Sequence, residues 1–203
     1  MEKYSGFSDK FYGINPFLQP PRQKLSFVFP IIFMKNLFFY ILYLIGFNTL
    51  SYIIDIKAKI KKDMRIILSN SVTYFDEDIL KSLFPGHKIF YNKKDGLFSN
   101  NVKSELDWNS IVFIEECSSN NKCMMRFYRE LECDYICIMN YSPNCIHVHG
   151  NYYKFLFFLL ASRNKVEIKI YEAKSSREFK KYIKVVDLGK TEKNNFMNLI
   201  TNE

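Results

Sequence analysis

Between residues 65 and 171, short apolar runs rich in β-branched side chains alternate with turns and stretches of helical spacing, which restricts this part of the chain to a sheet with helices packed on it. The predicted strands span residues 65–69, 88–91, 110–114, 135–140 and 165–171. Helices are predicted at 77–83, around 124–130 and at 151–161, preceded by a long apolar helix over 26–55. The fold class that follows is α/β, a mixed and largely parallel sheet flanked by helices. After Ser175 the pattern adds a strand at 182–187 and a short terminal helix. Four regions result: a basic, aromatic, extended arm (1–24), a hydrophobic helical segment (25–56), the α/β domain (57–175) and a basic C-terminal extension (176–203).

A chain of 203 residues with 48% hydrophobic and 17% aromatic content holds enough apolar surface for one core, which excludes a disordered chain. Leu37 to Ile54 is an uncharged stretch flanked by Lys35 and Asp55 that just reaches membrane-spanning length. Gly46 interrupts it and Asn48, Thr49 and Ser51 dilute its second half, so partial insertion or burial is expected rather than a span. The first residues lack the pattern of a secretory signal. Five cysteines, an odd number in a chain without secretory features, point to reduced thiols and a cytoplasmic location. Cys145, His147 and His149 would share one face if they lay on a strand, but nothing completes a zinc set, so no metal and no cofactor are expected. His87, after Pro85 and Gly86, reads as a turn residue.

The net charge of +8 favours an anionic partner, either acidic lipid headgroups or a nucleic-acid backbone. Basic residues gather in the arm, before the loop at residue 70 (Lys57, Lys59, Lys61, Lys62, Arg65) and near the end (Lys174, Arg177, Lys180, Lys181, Lys184). In the arm, glycines and prolines break every helical or strand period, and aromatic residues alternate with cations. Such a mixture can stack on bases while neutralising phosphates, which makes Lys3, Phe7, Lys10, Phe11, Tyr12, Phe17, Arg22 and Lys24 the candidate RNA-binding residues. The competing reading is that these aromatics fold back onto the domain.

Several short motifs occur in a fixed order. Asn15-Pro16-Phe17 leads toward Phe29-Pro30-Ile31, and Tyr74-Phe75-Asp76 closes a loop that begins at Asn70. Ile89 to Asp95 follows, then Trp108 with Ile111 to Asn120, then Cys137 to Asn144, and finally Asn164 to Ile168. In this order, over about residues 13–171, the chain resembles the lysophosphatidylcholine acyltransferase branch of the glycerophospholipid acyltransferases. The resemblance implies an H-x-x-x-x-D loop in which histidine deprotonates the acceptor hydroxyl and aspartate orients the ring. Asp76 is present, whereas Ser71 occupies the histidine position and is no base near neutral pH. Lys93 stands where the family has a phosphate-binding arginine, and Glu115, Glu116 and Cys117 occupy the positions of Glu, Gly and Thr in the P-E-G-T turn. A second carboxylate repels phosphate, and lysine does not reproduce a bidentate guanidinium. Cys117 as a nucleophile has no activating base nearby in sequence.

The resemblance and its departures imply a pseudoenzyme, with Ser71, Asp76, Lys93, Glu115, Glu116 and Cys117 as degenerate remnants of a catalytic site. The basic, aromatic arm adds the expectation of a binding factor on the ribosome or another large RNA particle, touching rRNA and ribosomal proteins in an inhibitory or dormancy-type role. The alternative is a membrane-associated, acyl-CoA-dependent lysophospholipid acyltransferase with a divergent site, at the endoplasmic reticulum. A lipid-surface scaffold without catalysis stands between the two.

Overall fold

The structure, a computed structural model, describes residues 4–60 and 64–201, so Lys3, Lys61 and Lys62 lie outside the described residues. A single 3-10 turn, Ser5–Phe7, precedes the first helix, α1 (Phe29–Leu44), which is followed by α2 (Leu50–Ile53). The chain continues through β1 (Ile54–Ala58), β2 (Ile66–Ser69), α3 (Asp76–Leu83), β3 (Lys88–Lys93), β4 (Gly96–Ser99) and β5 (Val102–Lys103). Then come β6 (Ser110–Phe113), β7 (Met124–Met125), β8 (Tyr135–Tyr141), α4 (Tyr152–Leu160) and β9 (Asn164–Glu172). A 3-10 helix (Ser176–Lys181), β10 (Val185–Val186) and α5 (Lys190–Thr201) complete it.

Eight strands form one sheet in the order β1-β9-β8-β2-β6-β3-β4-β5, and β7 pairs separately with β10. The centre is parallel: β2 lies between β6 and β8, and β3 adds to β6 in the same direction. β9 runs antiparallel to β8 while pairing in parallel with β1, and β4 and β5 form an antiparallel edge. Burial of the central strands on both faces explains their continuous apolar runs. Alternate side chains divide between two clusters: Ile67, Ile111, Cys137 and Met139 on one face, Leu68, Val112, Ile136 and Ile138 on the other. The first cluster receives Tyr40, Ile79, Leu80, Phe155, Leu159 and Phe196 from the helices. The second is covered by loops and by Phe179 of the 3-10 segment.

Two sequence expectations need correction. The helix predicted over 26–55 ends at Leu44, because Gly46 turns the chain at φ +97°. Phe47 N donates to Leu42 O at 3.0 Å and Gly46 N to Tyr43 O at 3.0 Å, the paired bonds of a glycine-terminated helix. Beyond it the isoleucines at 54 and 56 enter an edge strand, where β1 pairs with β9 from Ile54↔Asn164 onward. Residues 124–130 are not a helix: Met124 N donates to Lys184 O and Arg126 N to Leu188 O, so the backbone bonds a distant segment instead of its own preceding turn. In the arm Asn15, Pro16, Phe17 and Pro20 are buried. The strand and terminal helix expected after Ser175 occur as β10 and α5, and Phe179, Val186 and Phe196 lie in the core.

Phe196 fastens both ends of the chain. Its ring meets Tyr4 at 5.4 Å, Phe7 at 5.3 Å, Phe17 at 5.7 Å and His149 at 5.8 Å between centroids. Truncation of a fully buried phenylalanine costs roughly 3–5 kcal/mol. Phe196→Ala is therefore expected to lower the urea midpoint by that equivalent and to expose both the arm and α5 to limited proteolysis before the sheet unfolds. Unchanged protection of the arm in the variant contradicts this linkage.

Candidate functional site

Parallel pairing of β2 with β6 brings the loop after Ser69 beside the turn after Phe113, at the carboxyl ends of the strands, where α/β sheets commonly build sites. Asp76 opens α3 and looks back into its own loop. Its Oδ2 accepts from Val72 N at 2.6 Å and Thr73 N at 3.0 Å, while Thr73 Oγ1 accepts from Phe75 N at 2.9 Å. Glu115 works between segments: Oε2 accepts from Ser71 N at 2.8 Å and Oε1 from Met125 N at 2.7 Å. Asn70 adds a third tie, accepting from Met139 N at 2.7 Å and donating to Met139 O at 3.1 Å.

Both carboxyls are buried, Asp76 and Glu115 each retaining 3% of their surface. Burial pushes Asp76 up to about 7, against the downward pull of the Val72 and Thr73 amides and the Tyr141 and Ser71 hydroxyls. Burial likewise raises Glu115 to about 8, and the neighbouring Asp76 charge adds to the rise. Cys117 is held as a thiol, raised to about 11 by burial, and its Sγ lies 3.8 Å from Met125 Sδ. Lys193, from α5, reaches Ser118 O at 2.8 Å and Ser118 Oγ at 3.2 Å. Glu116 faces Lys190 at 3.9 Å. Asn120 fixes the arm over this turn, donating to Asn15 O at 2.9 Å and Leu18 O at 3.1 Å.

Of the six positions that the resemblance singles out, Ser71, Asp76 and Glu115 are thus joined by one hydrogen-bond system, with Glu116 and Cys117 on the adjoining turn. Lys93 stands apart at the end of β3, its Nζ 4.9 Å from the centroid of the Phe98 ring. No hydrogen bond or ion pair among the described residues links it to the other five. The arrangement braces loops, each carboxyl accepting from backbone amides of the segments around it. The stretch carrying Cys145, His147 and His149 is a 3-10 turn followed by loop, so strand alternation does not align them. Among the described residues no histidine, cysteine and carboxylate cluster is arranged for a metal.

The candidate RNA-binding residues separate into two sets. Phe17 is fully buried and Phe7 packs on Phe196, so the fold-back reading holds for both. The Arg22 guanidinium is occupied by Pro143 O at 3.0 Å, Asn144 O at 3.3 Å and Ile146 O at 2.9 Å. Lys10, Phe11, Tyr12 and Lys24 are exposed, Phe11 by 95%. Asp9 organises this tip by accepting from Phe11 N and Tyr12 N, and from Asp187 N at 3.2 Å. Lys184 consequently sits 5.3 Å over the Tyr12 ring, bringing the arm and C-terminal basic clusters together.

Sequence reasoning missed a second surface. Phe27, Ile31, Met34, Phe38, Ile41 and Ile45 lie exposed along α1 and its flanks at helical spacing. Because α1 is apolar on both its buried and exposed sides, periodicity gives no sign of which side is left open. Among the described residues no helix is long and apolar enough to cross a membrane. Comparison with protein-family models, curated proteins and solved structures finds no match for this chain.

The two raised carboxyl pKa values fix the sign of a pH dependence. Glu115 ionises near 4.5 when unfolded and near 8 in the fold, so between these values the native state binds more protons and stability falls as pH rises. Glu115→Gln is expected to lose less stability than wild type from about pH 4 to pH 8 in urea titrations. Parallel curves for the two proteins contradict the assignment.

Proposed function

We propose that this chain is a non-catalytic protein with an acyltransferase-like scaffold that binds an anionic surface, and that its partner is the face of a lipid bilayer. The observation that supports loss of chemistry is the use of Asp76 and Glu115 as acceptors for loop amides beside a serine in the base position. Carboxyls bound in this way are retained for the fold whether or not a reaction is performed. Wild-type protein is therefore expected to transfer no acyl group from acyl-CoA to lysophospholipid acceptors. Turnover that Asp76→Ala abolishes would establish the enzyme reading instead.

A lipid partner is supported by the unpartnered side of α1, where Phe27 is 100% exposed, Ile31 74% and Met34 65%. Large apolar side chains in a row at a protein surface mark an interaction site, and each contributes about 1.5–3 kcal/mol when fully buried. The mode is interfacial docking, with the helix lying along the headgroup boundary and the net charge of +8 drawing it to acidic lipid. Ile31→Ser with Phe38→Ser is expected to reduce vesicle flotation at least about tenfold, as the lost burial requires, without lowering Tm. Flotation equal to wild type removes the lipid reading.

A second reading, binding to the ribosome or another RNA particle, is supported by the exposed tip Lys10, Phe11 and Tyr12 with Lys184 beside it. On that reading Lys10→Ala with Phe11→Ala weakens salt-sensitive co-sedimentation with ribosomes. Absence of co-sedimentation by wild type at low salt removes it.

A further inference from the structure

A cavity of about 610 Å³ opens beside the exposed side of α1, between that helix, α2 and the start of β9. Its lining includes Lys35, Asn36, Tyr52, Asp55, Arg163 and Lys165. The floor is fixed by internal bonds: Asn36 Nδ2 donates to Leu160 O at 2.9 Å and Ser162 O at 3.2 Å, and Asn164 Nδ2 to Leu159 O at 2.6 Å. The cations at the rim are differently placed. Among the described residues Lys35 Nζ gives one hydrogen bond, to Tyr52 O at 3.0 Å, and lies 5.9 Å from the centroid of the Phe39 ring. The side chains of Arg163 and Lys165 enter no hydrogen bond or ion pair among the described residues. Asp55 is the carboxylate on the lining, and it lies 3.9 Å from Lys57.

The lining carries three cations, Lys35, Arg163 and Lys165, and one carboxylate, Asp55, the cross-strand partner of Lys165, and a net positive lining that includes a guanidinium suits a phosphate oxygen set. The surroundings are those of an amphiphile. Lys35 sits on α1 between Met34 and Phe38, which are 65% and 58% exposed, so the charged rim and the apolar stripe are continuous. Tyr52, 56% exposed and stacked on Phe39 at 4.5 Å, stands at the junction, where an aromatic ring with a polar edge suits a headgroup boundary.

We propose that this cavity receives the phosphate headgroup of an anionic phospholipid whose acyl chains remain in the bilayer against α1. The site rests on the lipid reading above and adds headgroup selection to it. It is separate from the remnant loop at the ends of β2 and β6.

The test is flotation of the full chain with vesicles of phosphatidylcholine alone and of phosphatidylcholine containing phosphatidic acid. Wild type is expected to prefer the acidic vesicles, and Arg163→Ala with Lys165→Ala to lose roughly ten- to thirtyfold of that affinity while still binding as wild type does to phosphatidylcholine. Lys180→Ala with Lys181→Ala removes the same charge elsewhere and is expected to cost much less. Equal loss from the two pairs, or no preference by wild type, overturns the headgroup site while leaving the α1 reading intact. Failure of wild type to float with either vesicle overturns both. Amide shifts at Ser162–Lys165 on titration with inorganic phosphate, with no acidic-vesicle preference, assign the cavity to a free phosphate and overturn the lipid headgroup.

Discussion

The carboxyl of Glu115 is the point from which the carboxyl end of the sheet is organised. It sits just beyond β6, buried, and spends one oxygen on the loop after β2 and the other on β7. Without these bonds the Met125 amide would be a buried donor lacking a partner, at a cost of about 1–3 kcal/mol, and the part-buried Ser71 amide would lose its tie to β6. β7 in turn pairs with β10, and the following segment leads into α5, which carries Lys193 back to Ser118 and Phe196 into the aromatic cluster. One side chain thus connects the central strands, the C-terminal helix and, through Phe196, the N-terminal arm.

This arrangement gives both buried carboxyls a structural role. Asp76 and Glu115 hold the loops after β2 and β6 by accepting from buried and part-buried backbone amides. Other positions singled out in the sequence are engaged differently: Lys93 Nζ lies over the Phe98 ring and Glu116 faces Lys190. On the outside of the molecule, the open side of α1 and the arm tip are the surfaces on which the proposed binding rests.

The central strands were legible because burial on both faces leaves uninterrupted apolar runs at β2, β6 and β8, and the strands predicted over 65–69 and 110–114 put Asp76 and Glu115 near their ends. The partners of those acids were not legible, since Met125 and Ser71 meet Glu115 only after β6 and β2 pair. Uniform hydrophobicity misled the reading over 26–55, where a glycine turn and parallel pairing with β9 outweighed local helical preference. The β4–β5 hairpin also escaped notice, although Asn100 and Asn101 at φ 49° and 64° are the residues its turn requires. In the arm, alternating aromatics and cations looked alike whether they faced a partner or the core. Contacts from Phe196, remote in sequence, decided that Phe17 and Phe7 turn inward while Phe11 does not.

Native-state hydrogen exchange at the amides of Ser71, Val72, Thr73 and Met125 tests the central claim most directly. If Glu115 and Asp76 brace these loops, the four amides exchange only through large-scale opening in wild type, and Glu115→Ala releases Ser71 and Met125 together while leaving Val72 and Thr73 bound to Asp76. Rapid exchange of Ser71 and Met125 in wild type would show that the carboxyl is free for other work and would contradict the account.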